Sequence, residues 1–219
     1  MLDTITVTKR NGRIEPLDIS KIQKHTHAAV EGLEGVSQSE LEVDAKILFK
    51  DKITTEEIQQ TLIKTAVDKI DVDTPNWTFV AARLFLYDLY HKVTGWTGYK
   101  KLEDYFIQGE KEGKLICGIK EKYDLAFLDS HIKPERDLQF NYLGIKTLYD
   151  RYLLKDANNH PIELPQHMFM AIAMFLAQNE TDCNAWAVKF YDMISSFEVI
   201  CATPTLANAR TTRHQLSSC

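Results

Sequence analysis

The chain has 219 residues, 44% of them hydrophobic and 26% charged, which suits one large or two modest globular domains and excludes a disordered or fibrous chain. A formal net charge of −5 gives no overall attraction to nucleic acid, and the longest apolar run, Met168 to Ala177, is about half of what a membrane-crossing helix needs. Four cysteines, Cys117, Cys183, Cys201 and Cys219, stand far apart without a CxxC pair, which argues against a structural zinc site. With no signal peptide they point to a reducing, cytoplasmic setting.

The opening ITVTKRNGRIEPL alternates apolar and polar residues around Asn11-Gly12, a dipeptide that tolerates positive φ, and so predicts a tight hairpin. Asp18 leads into a helix with Ile19, Ile22, Ala29, Val30 and Leu33 at helical spacing, stopping near Gly35. Ser37 to Glu40 forms a capping box ahead of a helix with Leu41, Ala45, Leu48 and Phe49 on one face. Lys52-Ile53 fits a short third strand. Thr54 to Glu57 is a second capping signal, with Ile58, Leu62, Ala66 and Ile70 behind it. Thr74-Pro75 opens a fourth helix with Pro at its first position, carrying Trp77, Val80, Ala81, Leu84 and Phe85.

The segment from Thr94 to Tyr99 holds two glycines in six residues and is the best boundary, dividing the chain into 1–94 and 95–219. Beyond it helices are expected over Tyr142 to Leu154, Pro165 to Gln178 and Asn184 to Ser195, then a strand over Phe197 to Cys201 and a turn at Ala202 to Thr205. The fold class is therefore mainly α with a small sheet near the start.

Lys9, Arg10 and Arg13 flank the expected turn, and Lys21 and Lys24 lie on the helix that follows. Cations beside a helix N-terminus can hold a polyphosphate, and Glu15 could accept from the exocyclic amino group of a base. Composition alone favours a solvated polar hairpin instead, and no GxxxxGK[ST] or GxGxxG is present to tip the balance. Cys117, Cys183 and Cys201 have packing as their default role. His25 and His27 diverge on their helix, and a metal shared by His160 and His167 is improbable; the aromatics Phe79, Phe85, Tyr87 and Tyr90 read as helix packing.

The string VTKRNGRIEPLDISKI resembles the start of the ATP-cone, the nucleotide-binding regulatory domain of ribonucleotide reductases. The resemblance continues through ITTEEIQQTLIKTA, FVAARLFLYDLY and ERDLQFNYLGIKTLYDRYLL to ATPTLANARTTRHQLSSC, and so covers essentially the whole chain. It is similar to the amino-terminal part of the large, catalytic subunit of class I ribonucleoside-diphosphate reductases. That implies an ATP-cone of four helices capped by a small sheet, then a helical region leading into the start of a ten-stranded α/β barrel.

The resemblance implies ATP and dATP as allosteric effectors, with magnesium accompanying the nucleotide and no metal held by the chain itself. Lys9 and Arg10 would hold the effector's phosphates. Glu15, Pro16, Leu17, Asp18, Ile19, Ser20 and Lys21 would meet base and ribose, and Thr55 would add a contact at a helix start. Three positions depart from the best-known bacterial pattern: Asp18 where Asn is expected, Gln59 for His, and His91 for a phosphate-binding Lys. At the other end Thr203 and Ser218 would contact substrate, and Cys219 would be both a substrate contact and one thiol of the redox pair that delivers two electrons as a disulfide forms. The implied partners are a small subunit that generates the radical, thioredoxin or glutaredoxin, ribonucleoside diphosphates, and a second large subunit in a homodimer, with no nucleic acid or membrane. The chain alone is expected not to turn over, because the second thiol, the thiyl-radical cysteine and the radical-transfer tyrosines lie further along in the family. The main rival is a stand-alone ATP-cone acting as a nucleotide sensor.

Overall fold

The computed structural model describes residues 5–10, 12–46, 48–95 and 98–217. Its contacts divide it into two compact units. The first runs to Asp88 and takes up residues 138–146; the second comprises 89–137 and 147 onward.

The first unit opens with β1 (Thr6–Thr8) and β2 (Ile14–Pro16), paired antiparallel with Val7 opposite Glu15. Between them Gly12 takes a φ of +80°, and its amide donates to Lys9 O at 2.8 Å, closing the turn. Asn11, which the hairpin expectation invoked, lies outside the described residues. Helices α1 (Ile19–Val30) and α2 (Gln38–Lys46) follow, and β3 (Ile53–Thr54) then joins the other edge of β1 in parallel, giving the order β2-β1-β3. α3 (Thr55–Asp68) starts at a full capping box: Thr54 Oγ1 accepts from the Glu57 amide at 3.0 Å while Glu57 accepts from the Thr54 amide at 2.8 Å.

Helix α4 (Trp77–Thr94) carries Trp77, Val80, Ala81, Leu84 and Phe85 into the core with Leu41, Ala45, Leu62 and Ala66. The exposed carbonyls at the end of α1 find a donor in α4, where Arg83 Nη1 lies 2.7 Å from Glu31 O. The segment 138–146 is tied to α4 by the Tyr142 amide, which donates to Thr78 Oγ1 at 3.2 Å, and by Phe85 packing edge-on against Tyr142.

The second unit is helical: α5 (Leu102–Lys111), α6 (Leu125–Asp129), the C-terminal turns of α7 (Tyr142–Arg151), α8 (Pro165–Ala177), α9 (Cys183–Ser195) and α10 (Thr203–Asn208). α8 is its axis, buried on almost every side as its apolar composition demands. No described helix is long and apolar enough to cross a membrane. Most of the buried polar side chains in this core are paired. Glu163, 0% exposed, receives Arg210 Nε and Nη2 at 2.7 Å each, Tyr105 Oη at 2.5 Å and the Leu154 amide at 2.9 Å. Asp137 accepts from Tyr90, from Tyr99 at 2.6 Å and from Gln166 at 2.7 Å. His167 lies stacked on Tyr105 with Nε2 2.9 Å from Lys100 O.

Several boundaries differ from the periodicity. α2 stops at Lys46, because the Leu48 and Phe49 amides bond three residues back to Ala45 and Lys46 and tighten the chain into a turn; Leu48 is left 58% exposed. α3 ends at Asp68, which leaves Ile70 outside its stripe. Pro75 lies in a turn before α4 rather than at its first position. The expected strand at 197–201 is a loop. Phe197 has a φ of +64° and the Val199 amide returns to Met193 O at 3.1 Å, so this backbone closes the end of α9 rather than joining a sheet. The expected turn at 202–205 is the start of α10, with Pro204 in its first turn. α5, which no sequence signal marked individually, packs Leu102, Tyr105 and Phe106 fully inward.

Arg210→Met leaves the Glu163 carboxylate buried without its ion-pair partner, and denaturant unfolding should show a loss of about 3–5 kcal/mol. The pH dependence has two opposed parts. Burial pulls His167 down to about 3 from its ordinary 6.5, so the folded state binds fewer protons than the unfolded one between those values and loses stability as pH falls. Burial pushes Asp137 up to about 6 from 3.8 despite its three donors, so the folded state holds an extra proton there and gains stability as pH falls through that window. Asp137→Asn removes the second effect. The loss of unfolding free energy between pH 6 and about 4 should therefore become steeper than in the parent chain.

Candidate functional site

The basic cluster expected near the start is assembled by the hairpin. Lys9 and Glu15 are diagonal neighbours across β1 and β2, a spacing that long side chains bridge. Their Nζ and Oε1 atoms lie 3.1 Å apart, with both side chains about a quarter to a third exposed. The hydrogen bond from Lys9 holds the Glu15 carboxyl below its usual range against partial desolvation, helped by the charges of Lys9, Lys21 and Arg13. Glu15 thus feels the charge of three cations, with Lys9 in direct contact. Arg10, on the turn, places Nη2 3.7 Å from Oδ1 of Asp88, a buried acid on α4 whose other oxygen meets Gln60 Nε2 at 3.4 Å.

The α1 N-terminus carries the rest of the motif. Pro16 ends β2, and the Leu17 amide donates to Ile5 O at 2.9 Å, which directs the chain into the helix. Asp18 is the N-cap: its Oδ1 accepts from the Ser20 amide at 3.0 Å and from Ser20 Oγ at 2.6 Å. Those Ser20 hydrogen bonds also hold the Asp18 carboxyl below its usual range, and Lys21 Nζ stands 3.8 Å from Oδ2. Leu17 and Ile19 line an apolar cavity of about 300 Å³ with Ile22, Val43 and Phe49, rimmed by Glu42 and Lys46.

Thr55 is the first residue of α3, directly after its cap. Gln59, one turn further on, donates from Nε2 to Leu84 O on α4 at 2.7 Å. His91, on the same α4, falls in the second compact unit, beyond Asp88. Lys9, Glu15, Asp18 and Lys21 are therefore brought together, with Arg13 added. Arg10 is drawn toward α4, and Gln59 is engaged with the helix backbone. Asp88 was not singled out by sequence; its signal was an acid inside the otherwise apolar FLYDLY of α4.

At the other end Thr203, the exposed first residue of α10, places Oγ1 3.1 Å from Tyr152 Oη. Ser218 and Cys219 lie outside the described residues. Contrary to the packing default for free cysteines, Cys117 is exposed and Cys183 and Cys201 are half-buried. Among the described residues no group of three or more His, Cys, Asp or Glu side chains could hold a metal ion. His25 packs beside Tyr87, while His27 meets Gln38 at 3.3 Å, so the two histidines do diverge.

Residues 5–92 match the family model of the ATP cone domain, and residues 138–214 match that of the ribonucleotide reductase all-alpha domain. The ribonucleoside-diphosphate reductase subunit alpha of Helicobacter pylori strain J99 is 76% identical over 215 residues, covering 98% of this chain and 27% of the relative. The corresponding subunits of Escherichia coli K12 and of phage T4 are 33% and 35% identical over the whole chain, which spans 30% and 29% of their lengths. The chain thus spans less than a third of the relatives it matches. It joins an ATP cone to a reductase all-alpha domain, and it belongs to the alpha-subunit family of ribonucleoside-diphosphate reductases.

Proposed function

We propose that residues 1–94 form an effector domain that binds ATP and dATP at the hairpin and the α1 N-terminus, and that 95–219 begin the catalytic part of the reductase. The Lys9–Glu15 pair at 3.1 Å, beside Lys21 and Asp18 at the α1 N-terminus, carries this reading, since it lies within the ATP cone match. Lys9 and Arg10 hold the nucleotide's phosphates, the run from Glu15 to Lys21 meets base and ribose, and Thr55 adds a contact at the start of α3. Magnesium arrives with the nucleotide. Asp18, Gln59 and His91 make the site its own variety. An ionised Asp accepts but does not donate, and a neutral His brings less charge than a Lys. Gln59 is already engaged by Leu84 O.

The whole enzyme, in this proposal, reduces ribonucleoside diphosphates to deoxyribonucleoside diphosphates in the cytoplasm. A separate small subunit supplies the radical, thioredoxin or glutaredoxin restores the thiols, and large subunits pair as homodimers. Thr203 and Ser218 contact the substrate, and Cys219 contributes one thiol of the redox pair. The all-alpha match over 138–214 supports this over a free-standing sensor, which has no use for that region.

Titration calorimetry tests the effector assignment. ATP and dATP should each bind this chain and raise its melting temperature, because a ligand of the native state stabilises it. Asp18→Asn, which removes a negative charge and restores a donor, should tighten both and change their affinity ratio. Absence of heat and of any thermal shift with both nucleotides overturns the assignment.

A further inference from the structure

The cations of this site are not held in readiness; three of them are paired with carboxylates of the same unit. Lys9 is on Glu15 at 3.1 Å, Lys21 is near Asp18 at 3.8 Å, and Arg10 is near Asp88 at 3.7 Å. The three acids are not equivalent. Asp88 is buried and also bound by Gln60, and Asp18 is committed to capping α1, so neither is free to leave. Glu15 has no such second duty: its ion-pair partner is Lys9, and it sits on β2, the edge strand of the sheet, where its side chain can rotate away without loss of a ladder bond.

Resting on the nucleotide reading above, we propose that Glu15 is an internal counter-ion of the phosphate site, occupying Lys9 until a polyphosphate displaces it. The carboxylate then serves twice. While no phosphate competes, it neutralises a cluster of like charges that would otherwise repel one another across the hairpin. Once displaced, it becomes available to accept from the amino group of an adenine. Displacement costs the same for any ligand, whereas the return grows with the number of phosphates. The site therefore discriminates by charge count, favouring a triphosphate over a monophosphate, and couples phosphate arrival to base reading.

The test compares inorganic tripolyphosphate, which has no base, with ATP on the 219-residue chain at low ionic strength. Glu15→Gln keeps the shape of the side chain and should bind tripolyphosphate about two- to fivefold more tightly, the range set by a part-exposed ion pair. Its preference for ATP over tripolyphosphate should fall, because an amide presents one acceptor where the carboxylate presented two. Lys9→Met should weaken tripolyphosphate, and adding Glu15→Gln to it should bring no gain, since the released cation is missing. Unchanged or weaker tripolyphosphate binding by Glu15→Gln, with its melting temperature unaltered, overturns the proposal. So does an equal gain in the Lys9→Met background. If the parent chain binds neither ATP nor tripolyphosphate, the nucleotide reading itself falls and this inference with it. If the parent binds ATP and Glu15→Gln shows no gain for tripolyphosphate, the inference falls alone.

Discussion

The buried pair of Glu163 and Arg210 is the interaction on which the second unit depends. Burying both charges carries a desolvation cost of several kcal/mol per ion, recovered only where geometry is good and the remaining lone pairs and protons are used. Here they are. Both guanidinium contacts are 2.7 Å, Tyr105 and the Leu154 amide fill the remaining carboxylate sites, and Arg210 also donates to Leu206 O and Tyr152 O. One ion pair thereby joins α5, the chain after α7, the entry to α8 and the exit from α10. The Arg210 carbonyl in turn receives the Ile116 amide at 3.0 Å, so the backbone beside the pair is held as firmly as its side chains. The position of Thr203, one α10 length upstream and against Tyr152, follows from this anchor.

The first unit uses charge in the opposite way. Its ion pairs at the hairpin are part-exposed and longer, and pairs of that kind contribute little to stability. What they lack in strength they offer in exchange. A surface pair can be broken by an arriving anion at small cost, whereas separating Glu163 from Arg210 would strand a charge in the core. Firm placement in the second unit and replaceable contacts at the hairpin are thus two uses of one chemistry, set apart by solvent access.

Much of the first unit was legible in sequence because its signals are local. A capping box, a hairpin glycine and an apolar stripe each act within a few residues, and Thr54–Glu57, Gly12 and the α4 stripe all behave as their spacing requires. The errors lie where a distant partner decides. Phe197 to Cys201 has strand composition, but the carbonyls at the end of α9 need donors and take that backbone. Leu48 and Ile70 continue a helical period past the point where turns end the helices. The Glu163–Arg210 and Asp137 networks were invisible for the same reason: their members lie tens of residues apart and carry no spacing rule.

The site residues show where resemblance needs a structure beside it. Asp18 was transferred as a base or ribose contact, yet its carboxylate already satisfies the α1 N-terminus through Ser20, and Gln59 already spends its amide on Leu84 O. A side chain that caps a helix can still touch a ligand, but it does so with the lone pairs the cap leaves over, and an ionised Asp has no hydrogen to offer. Glu15 differs in that its ion-pair partner among the described residues is Lys9, the lysine that the proposed phosphate would claim. Among the acids at the hairpin it is the one whose local role and proposed ligand role exclude each other in time. That exclusion is what a site needs if binding is to change the protein rather than merely fill it.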